Sequence, residues 1–325
     1  MINIRLQDNL FHKANGGSQA KWNINDIWYK ADDFNHEGLA ETLVSDILKK
    51  SNIEKYATYF PEQIKYNGKI YSGCGSGNFL KDGQRLIEST KLLKQYGMDS
   101  AAKDESESIR DPEASIKGFV TAMKNITGLD SFDIYLTKMF ELDMIILNPD
   151  RHFGNITVLK TPFSYDYAPV FDQGRAFALS DDLWNTDKSV GEVIESVEAC
   201  PFSGIFSKQV KILEGLSGGR YFQTSYGKDD LIESLDKCSF AYSDEILSRA
   251  ERVFIYQMQR NMDYFIGKER NEILEKYKRE IDKNISLPLE CVIKDGYLSL
   301  ATGIHEGIFF QIDGRYRERW KNLVN

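Results

Sequence analysis

The sequence predicts an α+β fold in two lobes, a small β-rich one followed by a larger, mostly helical one. Three observations predict it. Up to about residue 80, apolar residues alternate in short runs, interrupted by one stretch of helical spacing between Glu37 and Lys50. Asn67-Gly68 stands between two of those runs, and this dipeptide is the strongest short hairpin signal because a type I′ turn needs positive φ at both central positions. Ser72-Gly73-Cys74-Gly75-Ser76-Gly77 then breaks the pattern and reads as a connector, beyond which apolar residues recur mostly at helical spacing. The lobe boundary is placed there, giving an N-lobe of residues 1–76 and a C-lobe of residues 77–325.

Within the N-lobe, Asn15-Gly16-Gly17-Ser18-Gln19-Ala20-Lys21 is turn-rich, and Trp22, Ile24, Ile27 and Tyr29 then alternate into a strand that ends at Lys30. Leu39, Leu43, Val44, Ile47 and Leu48 mark a helix. Residues 63–71 form the hairpin around Asn67-Gly68. In the C-lobe, residues 82–96 predict an amphipathic helix with Gly97 as its cap, and residues 99–113, nearly devoid of apolar side chains, read as a mobile loop. Phe132, Leu136, Met139, Phe140 and Ile145 mark a helix that stops at Asn148-Pro149, since proline restricts the residue before it and donates no hydrogen bond. Ile156-Thr157-Val158-Leu159 reads as a short strand. A second turn-strand unit, Ala168-Pro169-Val170-Phe171-Asp172-Gln173-Gly174, ends on an aspartate. An irregular segment reaches about residue 203, a helical pattern runs from residue 244 to about 283, and Asp295-Gly296 turns a C-terminal hairpin. There are no internal repeats.

Composition excludes several classes. A net charge of −8 over 325 residues argues against broad nucleic-acid binding. The four cysteines are scattered with no CxxC pair, which offers neither a zinc framework nor a disulfide scaffold and points to a reducing compartment. Residues 1–8 lack the apolar stretch of a secretory signal, and no run approaches the roughly 18 apolar residues of a membrane span. The expected location is cytoplasmic.

The chemistry concentrates between Leu147 and Gly174. Asp150 and Asn155 share one loop, and Asp172 ends the following unit before Gly174. Phosphoryl transfer from ATP needs a carboxylate to orient the attacking hydroxyl, with an amide oxygen and a second carboxylate to hold Mg²⁺. Alone, Asp150 and Asn155 are ordinary turn residues. The order of parts changes that reading, because a Gly-rich turn, a strand lysine and a helix glutamate precede the Asp…Asn loop, as a kinase requires. Lys30 could reach nucleotide phosphates. Its helix partner is Glu37 or Glu41, four apart on one face, with Glu41 deeper in the helical pattern. Gly16, Gly17, Ser18, Gln19 and Lys21 match neither GxxxxGK[ST] nor GxGxxG, yet adjacent glycines let backbone N–H groups approach a phosphate. His152 has no metal-ligand partners at suitable spacing; it supports Asp150, contacts the transferred phosphate, or is structural. There is no GxSxG elbow for a serine hydrolase, and Cys74 has no base beside it.

At these residues the sequence resembles the HipA-like serine/threonine kinases. The family's loop G-x-Q-x-K is matched by Gly17-Ser18-Gln19-Ala20-Lys21, its strand lysine by Lys30 and its helix glutamate by Glu41. Its catalytic loop is matched by Asn148-Pro149-Asp150-Arg151-His152-Phe153-Gly154-Asn155, with the histidine two residues after the aspartate. Its L-A-P-x-x-D is matched by Tyr167-Ala168-Pro169-Val170-Phe171-Asp172. The resemblance covers roughly residues 12–265; the family's N-terminal subdomain has no counterpart, and Ala14 stands where the toxin member has an autoregulatory serine. It implies a bilobal protein-kinase-like fold, ATP and Mg²⁺, catalytic roles for Asp150, His152 and Asn155, and metal binding by Asn155 and Asp172. It further implies a protein substrate, autophosphorylation, and, for a bacterial effector, export without a classical signal to act on a host protein. Two rivals share these motifs. A phosphoinositide kinase also carries D-R-H-x-x-N, but the acidic balance between Asp172 and Ser203 would repel an anionic membrane. A catalytically inactive kinase fold would have no need of Lys30, Asp150, Asn155 and Asp172 together.

Overall fold

The structure, a computed structural model, describes residues 1–4, 19–33, 35–102, 110–184 and 188–267. Alternating residues in the N-terminal third build a five-stranded sheet in the order β1-β4-β5-β3-β2: β1 (Ile2–Ile4), β2 (Lys21–Ile24), β3 (Ile27–Ala31), β4 (Tyr59–Tyr66) and β5 (Lys69–Gly77). All pairs are antiparallel except β1 with β4. The β2–β3 hairpin turns on Asn25-Asp26, which take φ of 52° and 64° without a glycine, because Asn and Asp tolerate the left-handed region. Asn67 and Gly68 turn β4 into β5 with φ of 49° and 76°, as the sequence predicts. Helix α1 (Glu37–Lys49) lies on β4 and β5 with Leu39, Leu43, Val44, Ile47 and Leu48 buried.

Ser72–Gly77 is not a connector. It is the second half of β5, paired with β3 through Gly73↔Ala31 and Gly75↔Tyr29. Its glycines serve close approach: a Cβ on Gly73 would collide with the Lys30 carbonyl, one on Gly75 with the Phe60 ring, and Gly38 of α1 rests directly on Gly73.

The predicted helix over 82–96 is a strand, β6 (Arg85–Glu88), followed by the shorter helix α2 (Ser89–Gln95), with Gly97 at φ 66° ending it. Hydrogen bonding to β7 (Thr157–Lys160) overrides the helical spacing, and β8 (Tyr165–Tyr167) completes a sheet in the order β6-β7-β8. Residues 168–171 therefore do not form the strand predicted before Asp172; Pro169 cannot donate to a ladder, and Val170 bridges to Tyr56 of the N-lobe instead. The predicted loop over 99–113 is shorter, since Pro112 and Glu113 open helix α3 (Pro112–Thr127), capped by Asp111 accepting from Ala114 N; residues 103–109 lie outside the described residues. Helix α4 (Phe132–Ile146) ends at Leu147 in the left-handed conformation.

The segment after Asp172 holds two short helices, α5 (Asp181–Trp184) and α6 (Val190–Glu195), and is followed by α7 (Phe206–Ser217), α8 (Lys228–Cys238) and α9 (Asp244–Arg260). The helical pattern predicted to about 283 is described only to Gly267, and the C-terminal hairpin lies outside the described residues. One apolar core fills the helical lobe and extends under α1, while Trp22, Tyr29, Ala31 and Ile64 form a separate cluster on the sheet face away from it. Helix α1 is thus rooted in the C-lobe core although its chain position is N-terminal. Among the described residues no helix is long and apolar enough to cross a membrane.

Candidate functional site

Strand alternation turns Lys30 toward α1 while Tyr29 and Ala31 join the apolar cluster behind the sheet. Lys30 Nζ lies 2.7 Å from Glu41 Oε1 and 3.3 Å from Asp172 Oδ1, with the Tyr59 ring centroid 5.1 Å away. The second carboxylate oxygen of Glu41 accepts from Gln173 N at 3.1 Å, so this buried pair has its lone pairs satisfied. Of the two candidate glutamates, Glu41, the one favoured by its deeper place in the helical pattern, makes the pair. Glu37 instead ties down the preceding loop, accepting from Asp33 N (3.0 Å) and Asn35 Nδ2 (3.3 Å). Asp172 itself sits at φ 63°, a left-handed conformation that a non-glycine residue adopts at some cost.

The Asp150 loop is held from below. On α4, Asp143 is buried and receives Arg151 through two hydrogen bonds, from Nε at 2.7 Å and from Nη2 at 3.0 Å. Arg151 Nη1 then donates to the Asn155 carbonyl (3.2 Å) and the Phe171 carbonyl (3.3 Å). One guanidinium therefore ties the backbone of Asn155 to the residue preceding Asp172. Asn148 bridges Asp143 to the Asp150 amide, donating at 2.9 Å and accepting at 3.2 Å. Asn155 Nδ2 donates to the Asp150 carbonyl at 2.8 Å, which leaves the amide oxygen as its free coordinating atom. His152 Nδ1 accepts from Gly154 N at 3.0 Å, so the neutral ring carries its proton on Nε2, 4.0 Å from Asp150 Oδ1.

Sequence reasoning gave no role to Arg151, Asp143, Tyr59 or Gln173. A signal existed for Asp143, since Glu141 and Asp143 interrupt the otherwise apolar second half of the helix, residues 139–146, and buried carboxylates need partners.

On β2, Lys21 stands directly opposite Lys30, and among the described residues no carboxylate lies within ion-pair reach of it. Burial, together with Lys30, lowers its pKa. The amide nitrogen of Gln19 is buried without a partner among the described residues. Gly16, Gly17 and Ser18 lie outside the described residues. Burial alone would lower the pKa of Lys30, but Glu41, Tyr59 and Asp172 hold it well above the ordinary lysine value. Burial would raise Asp172, yet Lys30 and Lys21 keep it below the usual carboxylate value. Asp150 is pushed upward by burial, with Asp172 adding to the rise against the opposing pull of His152 and Arg175.

These residues fit a nucleotide and a hard cation. Asp172 and the Asn155 amide offer the oxygen ligands Mg²⁺ prefers, and Lys21 and the Gln19 amide nitrogen, without acceptors among the described residues, are donors of the kind phosphate takes.

No protein-family model matches this sequence, and no curated protein matches it. Among solved structures, the fold is similar to that of the Helicobacter pylori proinflammatory kinase CtkA, with a TM-score of 0.53 and 16% sequence identity over 78% of this chain and 92% of that one. The Shewanella oneidensis HipA structure, from a complex with HipB and operator DNA, is matched at a TM-score of 0.40 and 10% identity over 75% of this chain and 63% of that one. The likeness to CtkA shows the architecture: a bilobal, kinase-like α+β fold.

Proposed function

We propose that this chain is an ATP- and Mg²⁺-dependent kinase of the HipA-like kind that phosphorylates serine or threonine hydroxyls on proteins. The observation that carries the reading is the joining of Lys30, Glu41 and Asp172 in one cluster beside the loop that presents Asp150 and Asn155. Lys30, fixed by Glu41, holds nucleotide phosphates with help from Lys21 and Gln19, and the motif match assigns Gly16, Gly17 and Ser18 to the same task. Asn155 Oδ1 and the Asp172 carboxylate hold Mg²⁺. The bound nucleotide supplies the γ-phosphoryl group and the metal neutralises its charge. Asp150 accepts the proton of the substrate hydroxyl at its carboxylate, and the burial that raises its pKa makes it the stronger base. His152 Nε2, with its proton directed at Asp150, steadies that carboxylate. The lobe boundary after residue 76, one residue before β5 ends at Gly77, belongs to the same proposal, as do autophosphorylation and action on a host protein.

The test offers γ-labelled ATP and Mg²⁺ with a mixed protein substrate and a phosphoinositide side by side. The reading expects label in protein hydroxyls, falling by about a factor of 10² to 10³ or more in Asp150→Ala. Label in the lipid alone would replace it with the phosphoinositide kinase. Nucleotide binding with no transfer to either substrate would leave an inactive binding module.

A further inference from the structure

The loop between α8 and α9 lies along the N-lobe sheet as a three-residue latch. The carbonyl of Phe240 accepts from Gln63 Nε2 of β4 at 2.8 Å, and the carbonyl of Ala241 accepts from Ser72 Oγ of β5. Tyr242 OH then donates to Asp32 Oδ2, just past β3, at 2.9 Å. Two of these contacts use the latch backbone and would survive most substitutions in it. The third depends on one side chain, that of Tyr242, whose ring is buried and meets His36 edge-on with centroids 6.3 Å apart.

Asp32 has a second task. Its Oδ1 accepts from Gly38 N at 2.7 Å, in the first turn of α1. The residue at the helix start, His36, takes φ 55° and makes no side-chain cap of its own. A first-turn N–H left without an acceptor is one of the orphan donors of a helix, so Asp32 caps α1 from outside its sequence. Asp32 lies two residues from Lys30, and Gly38 lies three from Glu41, so the cap joins the strand carrying the lysine to the helix carrying its partner. Gly38 has no room to slide, because it rests on the backbone of Gly73.

We propose that Tyr242 is a positioning residue which, through Asp32, sets the placement of α1 on β3 and so holds Glu41 against Lys30. Contact between the C-lobe loop and the N-lobe is thereby coupled to the lysine that reaches for phosphate. The consequence for nucleotide rests on the kinase reading; the coupling itself does not.

The test compares the full chain with Tyr242→Phe, which keeps the ring and removes the hydroxyl, and with Asp32→Asn and Asp32→Ala. Hydrogen exchange over residues 37–41 is read without nucleotide, and KM for Mg·ATP and kcat are read alongside. Tyr242→Phe and Asp32→Ala are expected to speed exchange in the first turn of α1 at least fivefold while α4 keeps its protection. Asp32→Asn, which can still accept from Gly38 N and donate to the Tyr242 oxygen, is expected to restore the wild-type rate. KM for Mg·ATP should rise about fivefold in the first two variants with kcat within a factor of two. Unchanged exchange over 37–41 in Tyr242→Phe overturns the proposal, as does exchange that speeds equally across α4. Altered exchange with no phosphoryl transfer in any variant, wild type included, supports the latch and removes the kinase reading instead.

Discussion

Lys30 and Glu41 show how strongly one pair of side chains can be committed. Both are largely withdrawn from water, and the pair survives there because the ammonium also meets Asp172 and the second carboxylate oxygen accepts from Gln173 N. Removing one member leaves an uncompensated buried charge. Lys30→Met is therefore expected to lower unfolding stability by about 3–5 kcal/mol, whereas the double variant Lys30→Met with Glu41→Leu should recover most of that loss. Urea denaturation of both variants checks this, and a single variant as stable as wild type would contradict it. The residues of this cluster were legible because the order of parts along the chain singled them out. Arg151 and Asp143 were not, since their importance comes from being buried together, and Arg is mostly a surface residue in any sequence. Only the apolar neighbours of Asp143 hinted at it.

At the scale of elements, the spacing of apolar residues gives α1 and α4 at nearly their observed bounds and places the Asn67-Gly68 turn, because there the local period and the tertiary packing agree. The strands of that hairpin run beyond the predicted 63–71 at both ends. Period and packing part company where tertiary pairing decides. Residues 85–88 carry a helical pattern but complete a sheet edge, and the glycines of β5 look like chain breaks when Gly73 and Gly75 mark close approach of the Lys30 carbonyl and the Phe60 ring. This gives a contrast within one strand. Gly73→Ala would drive a methyl group into the Lys30 carbonyl and is expected to destabilise by about 3 kcal/mol or more while displacing Lys30. Gly77→Ala, with open space around the added carbon, should change stability by no more than about 0.5 kcal/mol. Thermal denaturation of the two variants checks it; equal losses would mean that the close approach of Gly73 to the Lys30 carbonyl does not set the packing of β5 on β3.

For the whole molecule, the two lobes share more than a hinge, since α1 is rooted in the C-lobe core and the 240–242 loop grips the sheet. Two carboxyl groups, Asp32 at the contact with the 240–242 loop and Glu141 on α4 inside the C-lobe, are withdrawn from water. Burial pushes Asp32 up to about 7 despite its bonds from Gly38 and Tyr242, and pushes Glu141 up to about 7 despite accepting from the amides of Tyr221 and Phe222. A folded pKa above the unfolded one means that the folded chain keeps a proton the unfolded chain has already released. Stability therefore falls as pH rises from about 4 toward 7 and levels off beyond it. Asp172, lowered instead, loses its contribution only below the ordinary carboxylate range. The melting temperature should accordingly be lower at pH 8 than at pH 5, and Asp32→Asn and Glu141→Gln should each flatten the profile. A slope that both variants leave intact would place its origin elsewhere.

In the proposed kinase, Asp172 and Asn155 complete a nucleotide site around Lys30, already fixed by Glu41. Single-turnover transfer from γ-labelled ATP in the presence of Mg²⁺, by wild type and by Asp172→Asn, tests it most directly. Wild type is expected to transfer the label, and Asp172→Asn to lose at least about 10³-fold of that transfer while still melting as a folded protein. Equal transfer by the two proteins would contradict it.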